Sequence, residues 1–146
     1  MPRLHDASYR SAIQARIRQL RPDSQRRWGR MSVGQMLWHV NEAMETALGR
    51  VQLPLEKVPL PRPLMKFIVI NIPWPKGAPT LPKWVAGKEY DFAVERERCL
   101  RLVDELANRR LDDQWPSSPM LGRMSGTDVT RLHAKHLNHH LKQFGV

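Results

Sequence analysis

A proline-rich segment in the middle of the chain limits the possible folds more than any other feature. Eight of the twelve prolines lie between residues 50 and 88, where they exclude a long helix and disfavour a central β-strand. Residues 64–72 lack proline and are mostly apolar, which fits one short helix or an extended apolar segment. We therefore predict a long crossover that packs against the rest of the molecule and covers or lines a pocket.

Apolar residues recur at helical spacing on both sides of this crossover. The four stretches with this pattern are residues 6–20, 32–48, 91–110 and 125–144. A chain of 146 residues can bury one substantial core, with no room for a second. The sequence thus predicts a single all-α domain over residues 1–146, built as a bundle of four helices.

Local signals mark the ends of two of these helices. Ser32 with Gln35, and Ser125 with Asp128, have the spacing of a capping box, in which two side chains satisfy the free backbone N–H groups at a helix start. Gly49 is placed to end the second helix in the left-handed conformation.

The third helix carries the only cysteine, Cys99, which excludes an internal disulfide and any zinc site built from several thiolates. Cys99 lies on the apolar face, where we expect it to be a core residue, whereas Glu95 is predicted to face solvent. No apolar run approaches the roughly 18 residues of a membrane span. We expect a soluble, cytoplasmic protein.

Positive charge is concentrated near the N-terminus. The chain has 24 Lys and Arg against 14 Asp and Glu, an excess that favours anionic partners. Residues 1–30 resemble a transit peptide in composition, but Asp6 can cap a helix here, which favours a bundle helix with a basic outer face. A non-enzymatic bundle that contacts nucleic acid phosphates is one alternative, although no helix-turn-helix or zinc-finger signature supports specific binding.

Four of the six histidines lie within eight residues of the last helix, namely His133, His136, His139 and His140. Because a helix turns by about 100° per residue, His136 and His140 lie roughly 40° apart on one face, whereas His139 points elsewhere. Such a run is often only a solvated surface cluster. A third candidate ligand is His39, at the edge of the apolar face of the second helix. A three-histidine metal site and a surface cluster both remain open at this point.

Three stretches then resemble a known family. They are residues 27–39 (RWGRMSVGQMLWH), residues 79–82 (PTLP) and residues 136–145 (HLNHHLKQFG). Together they resemble a branch of the DinB-like and YfiT-like superfamily, over nearly the whole chain. The resemblance implies an up-and-down four-helix bundle with the long proline-rich crossover between its second and third helices.

The same resemblance implies a divalent metal ion, nickel or zinc, held by His39, His136 and His140. This sequence departs from the family pattern at Val129, where we expect Trp, and at Ser118, where we expect His. Gln143 could form a hydrogen bond with a neighbouring helix or with a ligand imidazole. His139 is expected to be a supporting or surface residue, and His133 a residue at the edge of the core, a substitute ligand or a proton shuttle.

Three neutral imidazoles leave a metal ion with an open position, as in catalytic sites. Relatives include thiol-dependent transferases, so the leading expectation is a metal-dependent transferase that uses a low-molecular-weight thiol of the glutathione type, or else a metal-dependent hydrolase. Expected partners are a small-molecule substrate and a second copy of the chain, with no specific nucleic acid and no membrane. The alternative is a non-enzymatic binding or dimerisation module.

Overall fold

The computed structural model describes residues 1–146 and contains five α-helices. They are α1 (Ala7–Gln19), α2 (Val33–Ala47), α3 (Arg62–Asn71), α4 (Phe92–Asn108) and α5 (Gly126–Gln143), with a short 3-10 helix, Pro82–Trp84, between α3 and α4. The all-α prediction is confirmed. The count is five because the apolar part of the crossover is itself helical.

The four helices predicted outside the crossover pack against one another. Helix α2 lies against α4 and α5, and α1 also contacts both α4 and α5. One hydrophobic cluster joins their apolar faces, and its fully buried members include Leu4, Ile17, Met36, Leu102 and Leu141. Burial of these faces stabilises helices that would be marginal in isolation.

Both capping boxes are present. Ser32 accepts a hydrogen bond from the backbone N–H of Gln35 at 3.2 Å, and the Gln35 side chain accepts one from the Ser32 backbone at 2.9 Å. Ser125 and Asp128 repeat the arrangement at the start of α5. Gly49 has a φ of +83° and follows the end of α2, as predicted.

Asp6 behaves differently from the prediction. It occupies the N-cap position of α1, but its side chain forms no capping hydrogen bond. Its carboxylate instead accepts a hydrogen bond from the backbone N–H of Arg3 at 2.9 Å and pairs with the Arg3 guanidinium at 3.1 Å. The nearby cation competes successfully for the carboxylate oxygens.

The prediction that Glu95 faces solvent is wrong. Glu95 is buried at the contact between α2 and α4, where its carboxylate accepts hydrogen bonds from Asn41 at 2.8 Å and Arg98 at 3.2 Å. These two donors make burial of the charge tolerable. Cys99 is fully buried in the core as expected, and burial raises the pKa of its thiol to about 12.

Helix α3 is held against α5 through the carbonyl groups at its C-terminal end. The ammonium group of Lys135 donates to the carbonyls of Val69 at 2.7 Å and Ile70 at 3.3 Å. A cation there also complements the negative end of the helix dipole. The proline-rich crossover is thereby fixed over one face of α5. None of the helices combines the length and apolar character needed to cross a bilayer.

The close packing at the start of α5 can be tested by substitution of Gly126. A Cβ atom on Gly126 would meet the Leu111 carbonyl oxygen at 2.4 Å, whereas one on Gly87 would meet nothing within 4 Å. We expect Gly126→Ala to lower the free energy of unfolding by about 1–3 kcal/mol, as overpacking does. The matched Gly87→Ala substitution should leave it unchanged or slightly higher. Urea denaturation measures both, and equal stabilities would show that the close packing at Gly126 is unimportant.

Candidate metal centre

Three histidines from two helices meet at one point. His39 comes from the middle of α2, and His136 and His140 lie one turn apart on α5. One ring nitrogen from each of the three lies within 4.8 Å of the others. The His39 and His136 Nε2 atoms are 2.9 Å apart. The predicted residues are therefore brought together, and they could hold a metal ion.

The proline-rich crossover orients His39. Its Nδ1 lies 2.9 Å from the backbone carbonyl oxygen of Trp84. A carbonyl oxygen can only accept a hydrogen bond, so Nδ1 carries the proton and Nε2 of the neutral ring keeps a free lone pair. That lone pair is directed toward His136. The arrangement is the usual support of a metal-binding histidine, in which the outer ring nitrogen donates to a carbonyl.

Gln143 orients His140 in the same way. Its amide nitrogen donates to the Trp28 carbonyl at 3.0 Å, which leaves its amide oxygen to accept a hydrogen bond from Nδ1 of His140 at 2.7 Å. The free nitrogen of His140 is therefore Nε2. Two partners were expected for Gln143, a neighbouring helix or a ligand imidazole, and the structure shows the contact with the imidazole of His140.

Gly29 allows Gln143 to approach this closely. It has a φ of +80°, and a Cβ atom at this position would lie 2.6 Å from the Gln143 amide nitrogen. Two of the sequence motifs are thus in direct contact. One contains Trp28 and Gly29, and the other contains Gln143. Each motif is incomplete as a support for His140 without the other.

The nitrogen positions fit a small divalent ion. Bonds of about 2.0–2.1 Å in a tetrahedral geometry require nitrogen atoms about 3.3–3.4 Å apart, a value that lies between the 2.9 Å contact and the 4.8 Å limit of the cluster. Two Nε2 lone pairs are already directed inward by carbonyl acceptors on the outer nitrogens. In the absence of a cation, the lone pair on His39 Nε2 faces Nε2 of His136.

Burial keeps the rings of this cluster neutral. Burial is the largest cause that lowers the pKa of His39, and burial together with the charges of neighbouring histidines lowers the pKa of His140 to about 3. The pKa of His136 lies well below its ordinary value for the same reasons. Neutral imidazole is the form that binds metals. The three rings are therefore ready to bind a cation at neutral pH.

A large apolar cavity of about 740 Å³ opens next to the three histidines. Its walls include α3, the crossover around residues 72–85, the loop at 116–121 and one face of α5. The prediction that the crossover lines a pocket is confirmed. Val129 and Ser118, the two departures from the family pattern, both line this cavity.

The other histidines have separate places. His133 is buried and lines the cavity one turn before His136. His139 is partly buried, and its ring packs edge-on against those of Trp28 and Trp74. His5 lies elsewhere, with its Nε2 hydrogen-bonded to the carbonyl of Arg109 at 2.7 Å.

A comparison with protein families matches the chain to the DinB superfamily over residues 10–144. The chain belongs to the DinB superfamily, a group of helical proteins that often bind metals. Searches of curated proteins and of solved structures found no significant match.

Sequence reasoning missed one residue that supports the site. The backbone carbonyl of Trp84 orients His39, but a carbonyl group has no signature in the side-chain pattern. The nearby PTLP motif was the only available signal, because its prolines restrict the backbone just before Trp84. Gly29 was part of a recognised motif, but its contact with Gln143 could not be read from the sequence.

His133 predicts how the metal-free protein responds to acid. Burial lowers its pKa from 6.5 to about 4, so the unfolded chain binds this proton more readily. Its contribution to stability is complete above pH 6.5 and is lost as the pH falls toward 4. Between pH 6.5 and 4 we expect the free energy of unfolding of the unmodified protein to fall by roughly 3 kcal/mol more than that of His133→Leu, because leucine cannot take up a proton. Urea denaturation with a chelator present measures both, and parallel losses would contradict the prediction.

Proposed function

We propose that this protein is a metal-dependent enzyme that binds one divalent ion through His39, His136 and His140. The observation that carries the proposal is the orientation of His39 and His140 by hydrogen bonds to their outer nitrogens. These bonds direct the Nε2 lone pairs to one point next to the cavity. A surface cluster of histidines would not need two carbonyl acceptors to fix its rings.

Nickel and zinc are the metals we propose, because imidazole nitrogens suit both ions and the chain has no cysteine at the site. Three protein ligands leave at least one position open to a ligand in the cavity, as in catalytic sites. The ion would act as a Lewis acid and would favour the deprotonated form of a thiol bound there.

The residues around the cavity favour activation of a thiol over activation of water. No Asp or Glu lines the cavity, so the carboxylate base that commonly assists water attack in metal hydrolases is missing. The remaining candidates, His133 and His139, are weak bases because burial lowers the pKa of both. A thiol needs less help, since its own pKa is far lower than that of water. We therefore propose a thiol-dependent transfer reaction.

The chain's own residues would prepare this reaction in two ways. Trp84 and Gln143 hold His39 and His140 in position before a ligand arrives, so the site needs little reorganisation. The crossover with α3 lines the cavity with mostly apolar side chains, and such surroundings strengthen electrostatic interactions at the site.

Alanine substitutions test the ligand set. Tag-free protein should retain close to one nickel or zinc ion per chain after dialysis. Each of His39→Ala, His136→Ala and His140→Ala should reduce this to near zero, because two protein ligands hold a labile ion too weakly. Elemental analysis measures the stoichiometry.

His139→Ala is the matched control, since its ring lies on α5 beside His140 but packs against tryptophans. It should keep close to one ion per chain. Loss of metal from this variant together with retention by His140→Ala would overturn the assignment.

A glycine substitution tests the support of His140. Gly29→Ala would displace the Gln143 amide, and disturbing such an outer partner typically weakens metal binding by about 10–100-fold. Gly77→Ala is the control, because Gly77 has a similar φ of +76° but a Cβ there would meet nothing within 4 Å. Both variants place alanine at a similar positive φ. Competition with a metallochromic indicator measures affinity, and equal affinities would refute the role of Gln143.

A further inference from the structure

The cavity next to the three histidines has a composition that the sequence did not suggest. Arg30 is the only lining residue with a formal charge at neutral pH, although the chain carries a net charge of +10. Nearly all of the cationic side chains therefore lie away from the cavity. The volume of about 740 Å³ is in the range of sites that enclose a whole small organic molecule.

We infer that this cavity binds a predominantly apolar thiol, with an alkyl or aryl body enclosed by the tryptophan and methionine side chains and the sulfur at the histidine cluster. The inference rests on the proposed function for the position of the sulfur. It replaces the expected glutathione-type ligand with a different chemical class.

The lining disfavours an anionic peptide thiol. Glutathione carries two carboxylates, an ammonium group and two amides, and each would lose water on entering the cavity. Burial of unpaired charges is strongly unfavourable, and Arg30 could pair with only one carboxylate. The basic surface can attract such a molecule from a distance, but it offers no partners inside.

The same lining is well suited to an apolar body. Trp28, Trp74 and Trp84 present aromatic surface to the cavity, and Met65 and Met120 add flexible thioether side chains. Aromatic groups contribute large contact areas, and methionine adapts to ligands of different shape. Burial of each ligand methylene contributes about 0.8 kcal/mol, which corresponds to about fourfold in affinity.

Isothermal titration calorimetry with ethanethiol, butanethiol, hexanethiol and glutathione tests the inference, using nickel-loaded and chelator-treated protein. We expect the affinity to rise about fourfold per methylene, and hexanethiol to bind at least 100-fold more tightly than glutathione. The dependence on chain length should persist without metal, with lower absolute affinity. Affinity independent of chain length, or glutathione binding as tightly as hexanethiol, would overturn the inference.

Two substitutions at neighbouring positions of α3 localise the binding. Ile68 lines the cavity, whereas Phe67 is 58% exposed on the outer face of the helix. Ile68→Asp should weaken hexanethiol binding more than tenfold and leave nickel affinity unchanged. Phe67→Asp places the same charge on the same helix and should change neither. Equal hexanethiol affinity in the two variants would place the ligand elsewhere.

These measurements separate the inference from the proposed function. If nickel does not bind but affinity still rises with chain length, the proposed metal enzyme is wrong and the apolar site stands. If nickel binds at one ion per protein chain but thiol affinity does not change with the length of the alkyl chain, the metal site stands and the apolar ligand is wrong.

Discussion

The site depends on one chain of hydrogen bonds at the end of α5. The Trp28 carbonyl holds the Gln143 amide, and the amide oxygen holds Nδ1 of His140. Each link has a fixed direction, because a carbonyl can only accept and an amide nitrogen can only donate. The tautomer of neutral His140 is therefore determined by a backbone group more than one hundred residues away along the chain. Gly29 makes this possible by leaving room for the amide.

The proline-rich crossover has the matching role for His39. Its prolines prevent it from extending the bundle, and it instead lies over α5, where Lys135 secures the C-terminal end of α3. From there it contributes both the carbonyl that orients His39 and a wall of the cavity. The segment that interrupts the helical pattern thus connects the fold to the site.

Much of the fold was predictable, because local signals and packing agree in the bundle helices. The Ser32 and Ser125 capping boxes appear as expected, and so does the convergence of the three histidines. Two failures have a common cause. Asp6 and Glu95 were assigned from their position in the pattern, but Arg3, and Asn41 with Arg98, supply partners that periodicity does not reveal.

The apolar lining of the cavity could not be predicted from the sequence either. Its walls come from five separate parts of the chain, and the proline-rich crossover with α3 contributes the largest share. The strong positive charge suggested an anionic ligand, yet that charge lies almost entirely on other surfaces. Composition describes the whole molecule, whereas a ligand meets only the residues that the fold brings together.

X-ray absorption spectroscopy of the protein loaded with one equivalent of nickel or zinc tests the central claim most directly. The account predicts a first shell with three imidazole nitrogens at about 2.0–2.1 Å, together with the scattering from the outer ring atoms that identifies imidazole. A shell of oxygen atoms alone, or one with fewer than three imidazoles, would contradict it.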